Sequence, residues 1–234
     1  MLGQFLSGEA VNEALQIIQN EFLLAIWETV YVTLLSTLFS VIIGLPLGVL
    51  LVVGSKDGVL PLPRPVLSAL DIIINLLRSI PFLILMILVI PLTRLIVGTS
   101  VGTTASIVPL VIAAAPFVAR LAESSLRELN PNIIEAAQSM GATPMQIILK
   151  VMIPESVPSL MSNLTIAITT ILGYSAMSGI IGGGGLGKIA INYGYYRYKY
   201  LVMLVAVFLL IVLVQIFQSI GTRVSVKSDK RLRS

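Results

Sequence analysis

The sequence lacks the two residue types that most often carry reaction chemistry, since it contains no cysteine and no histidine. The absence of cysteine excludes disulfides, thiolate nucleophiles and sulfur metal sites, although it leaves the redox compartment undetermined. The absence of histidine removes the commonest general base and the commonest metal ligand. His-dependent hydrolysis and His- or Cys-ligated zinc chemistry are therefore excluded. We expect no catalytic residue and no metal site in this chain.

Charge is also scarce, because only 11% of the 234 residues are charged while 56% are hydrophobic. A soluble domain averages about 25% charged residues and could not bury so much apolar surface. Apolar runs long enough to cross a hydrocarbon core of roughly 30 Å lie at residues 22–53, 79–97, 103–119, 157–181 and 200–220. The runs are continuously apolar, which favours helices over the alternating strands of a barrel. The sequence predicts an all-α integral membrane protein with about five transmembrane helices, forming a single domain over residues 1–234.

The positions of the basic residues predict the orientation of the chain. Placing the N-terminus outside puts ten Lys and Arg residues on the inner side, namely Lys56, Arg64, Arg120, Arg127, Lys150, Arg223, Lys227, Lys230, Arg231 and Arg233. The outer side then receives Arg94, Lys188, Arg197 and Lys199. Cytoplasmic loops carry the excess of Lys and Arg. We therefore expect the C-terminus inside, and we attribute the net charge of +4 to topology rather than to nucleic-acid binding.

The longest polar stretch, residues 120–156, lies on the cytoplasmic side of this topology. Asn130 and Pro131 form a helix-start pair, with an N-capping side chain followed by a first-turn proline. Gly141 is the residue that ends such a helix. The sequence therefore predicts a short helix within this loop.

A second start signal follows at Thr143 and Pro144, and we expect the helix that begins there to end at Pro154. Helices this short are marginal in water unless they pack on a surface. Two short helices joined by a glycine bend indicate a docking element for a soluble partner. An ordinary connection between two spans is the alternative.

The same loop carries a recognisable signature. Glu135, Ala136 and Ala137 are followed by Gly141 and then by Val151, Ile153 and Pro154. This spacing resembles the EAA signature of ABC-importer permeases, Glu-Ala-Ala-x3-Gly-x9-Ile-x-Leu-Pro, with Val replacing Ile and Ile replacing Leu. The resemblance implies that residues 131–145 form a coupling helix seated in a groove of a separate ATPase. The coupling residues would be Glu135, Ala136, Ala137, Gly141, Ala142, Thr143 and Pro144.

Other segments extend the similarity over nearly the whole chain. They are RSIPF at 78–82, VGTS at 97–100, GATPMQ at 141–146 and GYSAMSG at 173–179. They resemble the methionine-importer branch of these permeases, whose members form homodimers with five spans per subunit. The resemblance implies two copies of an ATPase that binds ATP and Mg²⁺, a substrate-binding lipoprotein, contact with membrane lipid, and D- or L-methionine as substrate. It also implies that the chain lies in the inner membrane of a prokaryote and that the chain itself binds no cofactor.

A glycine-rich run at residues 182–188 matches two nucleotide-binding patterns. A P-loop needs Ser or Thr after its Lys to hold magnesium, whereas residue 189 is Ile. A dinucleotide site needs an acidic residue about 20 positions further on, and none occurs between Glu155 and Asp229. We therefore expect a tight bend between the fourth and fifth spans, and any ATP hydrolysis must come from another chain.

Polar residues within the apolar runs are candidates for the transport path. Asp71, Asn75 and Arg78 share one helical face, which either lines a cavity or dimer contact or holds an internal charge pair. The fourth span is unusually polar. By resemblance, Met177 would lie at the translocation gate near the dimer axis. Tyr174 and Ser175 would lie close to the pore, and Thr170 stands one turn before Tyr174.

Three rival functions remain open from the sequence alone. A permease for another amino acid or small solute would carry the same coupling loop, because that loop identifies the energy source and not the cargo. An ion channel would need no ATPase partner, so the loop argues against it. An intramembrane enzyme would have only Glu28 and Asp71 as carboxylates in or beside the spans, and nothing in the sequence pairs them.

Overall fold

The computed structural model describes residues 8–228, so Lys230, Arg231 and Arg233 of the basic tail lie outside the described residues. The α-helices, in chain order, are α1 (Gly8–Val53), α2 (Arg64–Ser79), α3 (Phe82–Leu88), α4 (Ile90–Val97), α5 (Ile107–Arg127), α6 (Pro131–Ser139), α7 (Pro144–Ile147), α8 (Ile153–Ser178), α9 (Gly185–Ile189) and α10 (Tyr200–Ser228). Two π-helical segments, Ile148–Met152 and Ala190–Tyr195, and a 3-10 turn, Gly179–Ile181, lie between them. Within the described residues there is no strand, and the all-α prediction is confirmed.

Four helical stretches are long and apolar enough to cross a membrane: Val11–Val53, Ile107–Arg127, Pro144–Ile181 and Tyr200–Ser228. A fifth span results if α2 and α3, which meet at a bend of 107°, are counted together. The prediction of about five transmembrane helices is confirmed.

The second apolar run does not form the continuous helix expected over residues 79–97. It is divided between the end of α2, α3 and α4, and prolines mark both breaks. Ile80 is extended (φ −81°, ψ 126°), because the ring of Pro81 disfavours the helical conformation in the residue before it. Pro91 lies in the first turn of α4, where its missing N–H costs nothing.

The second helix of the polar loop was expected to end at Pro154, and this expectation is wrong. The chain stays helical from Pro144 to Ile181, through Pro154 and Pro158. The π-helical segment Ile148–Met152 precedes Pro154. A wider π turn relieves the clash that a proline ring makes with the carbonyl four residues earlier. Residues 120–127 are also helical and belong to α5, while the cytoplasmic placement of residues 120–156 stays a prediction.

The chain packs as two compact units. The first consists of residues 8–37, Pro81–Val111 and Ile168–Phe217, and the second of Leu38–Ile80, Ile112–Ala167 and residues 218–228. The core of the first unit is formed by Ala14, Phe22, Ala25, Leu186, Ile189, Val202 and Ala206. One core of the second is formed by Val53, Leu126, Ala137, Ile147, Ile148 and Met152. The single domain over residues 1–234 stays a prediction.

Candidate functional site

The coupling segment, residues 130–147, takes its shape from hydrogen bonds between near neighbours. The side chain of Asn130 accepts a hydrogen bond from the backbone N–H of Asn132 (3.0 Å) and caps α6. Gly141 then adopts φ +78°, a left-handed conformation that glycine reaches at little cost. The predicted N-cap and glycine stop are therefore confirmed.

The second half of the coupling segment is capped in the same way. The Thr143 hydroxyl accepts a hydrogen bond from the backbone N–H of Gln146 (3.4 Å), and the Gln146 amide oxygen accepts one from the backbone N–H of Thr143 (2.9 Å). This reciprocal capping box satisfies two N–H groups at the start of α7. Pro144 occupies the first turn and is exposed.

The coupling segment has an inner and an outer face. Ala137 is buried in the core of the second unit, and Ala142 packs against that core while half-buried. Glu135 and Ala136 are exposed on the other face of α6. The outer surface also exposes three large apolar side chains, Ile133, Met140 and Met145. An exposed apolar surface with flexible methionines is suited to bind another protein.

Three of the four residues predicted for the transport path share one face of α8. Thr170, Tyr174 and Met177 are spaced four and three residues apart, which places them on the same side of a helix. The Tyr174 ring stacks on Phe82 with centroids 4.4 Å apart, and Met177 is 46% exposed. Ser175 does not share this face: it is buried, and its hydroxyl donates to the Leu172 carbonyl (2.7 Å).

The glycine turn, residues 182–185, is the predicted bend between the fourth and fifth spans, and the structure confirms it. Gly182 and Gly185 have φ of +89° and +80°, so both adopt the left-handed conformation. A Cβ on Gly184 would lie 2.2 Å from the hydroxyl oxygen of Thr103. A side chain at this position would therefore require the side chains of Thr103 and Glu28 to move.

Glu28 holds the glycine turn from α1. One carboxylate oxygen accepts the backbone N–H of Gly185 (2.7 Å) and the other accepts the hydroxyl of Thr103 (2.7 Å). The adjacent Thr29 hydroxyl accepts the backbone N–H of Leu186 (2.9 Å). The N–H groups that a nucleotide phosphate would need at the start of α9 are therefore already bonded to this chain's own side chains. We call these contacts the Glu28 clamp.

Asp71 belongs to an internal charge network in the second unit. Arg120 pairs with Asp71 (2.5 Å) and donates to the side-chain oxygen of Asn75 (2.8 Å). It also pairs with Glu123 (2.6 Å). The structure thus favours the charge-pair interpretation of the Asp71 face, with Arg120 as the partner, while Arg78 is exposed. Sequence reasoning missed this pair because it placed Arg120 in the loop and not in a span.

A polar cavity of about 740 Å³ also escaped the sequence reasoning. It lies in the second unit and is lined mainly by polar side chains: Ser125, Glu128, Lys150, Glu155, Ser156, Ser159, Ser162, Asn163, Ser225 and Ser228. Asn163 donates to Ser125 (2.8 Å), and Ser159 donates to Glu128 (2.7 Å). The lining comes from α5, α8 and α10 and the turns beside them, so the serines are scattered in sequence. Such a cavity can hold water or a small polar solute.

Comparison with known proteins places the chain among transporters. Residues 44–226 match the family model described as binding-protein-dependent transport system inner membrane component. The probable D-methionine transport system permease protein MetI of Vibrio cholerae is 51% identical over 89% of this chain and 92% of its own length. The D-methionine transport system permease protein MetI of Escherichia coli is 49% identical over 66% of this chain and 70% of its own length. A solved structure of the MetNI methionine ABC transporter in an inward facing conformation superposes with a TM-score of 0.87 at 45% identity, covering 89% of this chain and 96% of that one.

Proposed function

Because the chain belongs to the family of binding-protein-dependent transport system inner membrane components, we propose that it is the permease subunit of an ATP-driven methionine importer. The cargo is supported by relatives named for D-methionine transport that match most of the chain. The D or the L form fits this proposal. The subunit would lie in the cytoplasmic membrane of a prokaryote, with its N-terminus outside and its C-terminus inside.

The observation that carries this proposal is the outer face of the coupling segment. Ala137 anchors α6 to the core of the subunit, while Glu135 and Ala136 face away from that core beside exposed methionines. A surface of this kind is suited to a soluble partner, and the partner we propose is a separate ATPase. Two ATPase copies would bind ATP and Mg²⁺ and would dock on a homodimer of this chain.

Transport would follow from movement of the two coupling segments. ATP binding would draw the two coupling segments together, and the resulting rigid-body motion would switch the transport path between outward and inward access. The helical continuity from Pro144 to Ile181 supports this coupling, because α7 leads without a break into the helix that carries the path residues. Thr170, Tyr174 and Met177 would line the path. Ser175 would support the helix from its buried side. A substrate-binding lipoprotein would deliver the amino acid from outside.

Reconstitution tests the proposal directly. The chain is co-expressed with its ATPase, purified as a complex, and placed in proteoliposomes supplied with binding protein and labelled methionine. The decisive variant is Ala136→Arg, which adds a long charged side chain to the outer face of α6. A matched control is Leu60→Arg, because Leu60 is also exposed but lies outside the coupling segment.

We expect Ala136→Arg to lose both ATPase copurification and ATP-dependent uptake, while Leu60→Arg keeps both. Normal assembly and uptake by Ala136→Arg would overturn the docking assignment. A complex that assembles and hydrolyses ATP but never takes up methionine would overturn the cargo and leave the family intact. Competition with other amino acids would then identify the solute.

A further inference from the structure

The short turn between the second π-helical segment and α10 is unusually rich in tyrosine. We call residues 195–200 the tyrosine turn. Its four tyrosines are between 39% and 70% exposed: Tyr195, Tyr196, Tyr198 and Tyr200. Two cations, Arg197 and Lys199, lie between them in sequence. Tyrosine and arginine are the side chains most enriched where proteins bind one another.

The tyrosine turn is fixed in place by contacts with α1 and Tyr193. The guanidinium of Arg197 lies 4.8 Å from the centre of the Tyr193 ring, and the ammonium of Lys199 lies 5.6 Å from it. The Tyr193 hydroxyl donates a hydrogen bond to Glu21, and Lys199 pairs with Glu13. Both carboxylates belong to α1. The exposed tyrosines therefore stand on a supported base and lose little freedom when a partner binds.

The backbone of the tyrosine turn is held in an uncommon conformation. Tyr198 has φ +56°, the only positive φ of a non-glycine residue between residues 8 and 228. A bulky side chain takes up the left-handed conformation at a cost in free energy, so the surrounding structure must impose it. Strain of this kind is concentrated at functional sites. Here it fixes the direction of one of the most exposed aromatic rings in the turn.

The topology sets the side of the membrane on which the turn lies. α8 has 26 residues, and at a rise of 1.5 Å per residue it is about 39 Å long, enough to cross a hydrocarbon core of roughly 30 Å once. The coupling segment precedes α8 and the tyrosine turn follows it. In the orientation proposed above, the chain enters α8 from the inner side, so the tyrosine turn that follows this span would lie on the outer side.

We propose that the tyrosine turn is a docking surface for the soluble binding protein that delivers the substrate. This inference rests on the proposed function, because it requires an importer fed from outside. Lys188 and Arg197 are exposed, whereas the two α1 carboxylates beside the turn, Glu13 and Glu21, are engaged by Lys199 and Tyr193. The complementary partner surface is therefore acidic. A lipid surface is fluid and adapts to any arrangement of side chains, so it requires neither the strained Tyr198 nor the supporting contacts of Tyr193.

The test measures ATP hydrolysis by the assembled transporter in lipid nanodiscs while the organism's methionine-binding protein is titrated. The double variant Tyr195→Ala with Tyr198→Ala removes two exposed rings. Tyr198→Gly removes the Tyr198 ring but still permits the positive φ. It therefore tests the loss of the ring's contact with the partner without a change in the backbone conformation. Trp27→Ala is the matched control, because Trp27 is another highly exposed aromatic of the same unit but lies within the α1 span.

We expect both tyrosine variants to raise the half-saturating concentration of binding protein at least tenfold, with the maximal rate and the unstimulated rate unchanged. Trp27→Ala should leave the half-saturating concentration as it is. An unchanged concentration in the double variant would overturn the proposal. The proposal would also be overturned if the variants changed only the stability of the transporter, by an amount that depends on the lipid composition of the nanodisc. That result would assign the tyrosines to the membrane interface.

A second readout separates this proposal from the proposed function. Because the chain has no cysteine, Tyr198→Cys gives a unique site for a photo-crosslinker, with Trp27→Cys as the control. Crosslinking to the binding protein from position 198 and not from position 27 would support docking, whether or not methionine is taken up. If crosslinking succeeds and methionine uptake fails, only the proposed cargo is wrong. Normal methionine uptake without any crosslink from position 198 overturns the docking surface alone.

Discussion

The coupling segment and the tyrosine turn are two exposed surfaces that are held in contrasting ways. The coupling segment is shaped by hydrogen bonds spanning two or three residues, as between Asn130 and Asn132. The tyrosine turn depends on α1, with Tyr193 bonded to Glu21 across 172 positions in sequence. One surface presents flexible methionines and the other presents supported aromatic rings. Local contacts therefore shape the surface proposed to meet the ATPase, whereas contacts with distant residues support the surface proposed to meet the binding protein.

The largest expected effect separates the two faces of the coupling segment. Ala137→Arg would place a charge in the core of the second unit, where Ala137 is 4% exposed. We expect a loss of roughly 4 kcal/mol or more of stability, because a buried unpaired charge is among the most destabilising changes. Thermal unfolding in detergent measures it. The adjacent exposed change Ala136→Arg should stay within about 0.5 kcal/mol of the wild type, and equal losses in both would contradict the assigned faces.

The next effect concerns the Glu28 clamp, which is built from long-range contacts. Glu28→Ala removes the acceptor of two hydrogen bonds, and bonds to charged groups are worth about 1.5–3 kcal/mol each. We expect faster hydrogen exchange at residues 184–186 and a large loss of uptake, with ATPase copurification unchanged. Glu28→Gln should be milder, since its amide oxygen can still accept from Gly185. Loss of ATPase binding in Glu28→Ala would show that the effect is not confined to the glycine turn.

A smaller effect tests the local construction of the coupling segment. Gly141→Ala forces φ +78° on a residue with a Cβ, although no atom outside the local chain lies within 4 Å of that Cβ. The cost is therefore backbone strain alone, about 1 kcal/mol. Unfolding measurements should show this loss in Gly141→Ala and almost none in Met140→Ala. A loss of several kcal/mol would reveal a steric contact that the structure does not contain.

The smallest effect is a pH dependence at the base of the tyrosine turn. The hydrogen bond from the Tyr193 phenol to the Glu21 carboxylate raises the pKa of Tyr193, because it favours the protonated phenol. A raised pKa contributes stability that is fully present below the unfolded pKa of about 10 and is lost as the pH rises through the folded value. Partial exposure limits this contribution to less than about 1 kcal/mol.

Comparison of Tyr193→Phe with the wild type measures that contribution. The wild type should be more stable at neutral pH, and the difference should shrink as the pH rises above about 10. Tyr196→Phe is the control, because the described contact of Tyr196 is with the neighbouring Tyr195 ring and not with a carboxylate. A difference that is independent of pH would contradict the assigned hydrogen bond.

The features that the sequence could predict are those built from local contacts, and the features it could not predict depend on long-range contacts. The N-cap at Asn130 and the stop at Gly141 depend on near neighbours, so both are visible in the order of residues. The prolines at positions 81 and 91 are visible in the sequence, but the helix breaks beside them were not predicted, because an apolar run alone does not say whether its prolines interrupt it. The continuation through Pro154 was missed because it depends on a π-helical segment that no local signal announces.

The long-range contacts could not be found from one sequence. Glu28 is 75 positions from Thr103 and 157 from Gly185, and a lone carboxylate in an apolar run has no visible partner. The pairing of Asp71 with Arg120 spans 49 positions. Helical spacing explains why Thr170, Tyr174 and Met177 share one face of α8, whereas the burial of Ser175 depends on packing that spacing does not encode. Their place on the transport path stays a prediction.

The length of α1 has a consequence for how the protein responds to its lipid. α1 has 46 residues, so it is about 69 Å long, more than twice the roughly 30 Å of hydrocarbon it must cross. Its early part carries Glu13 and Glu21, which tie down Lys199 and Tyr193. The tyrosine turn is thus attached to the part of α1 that precedes its long apolar run at residues 22–53. Bilayers of different thickness can cover different lengths of α1 at little mismatch cost. The position of the tyrosine turn along α1 is therefore set by contacts within the protein and not by the membrane.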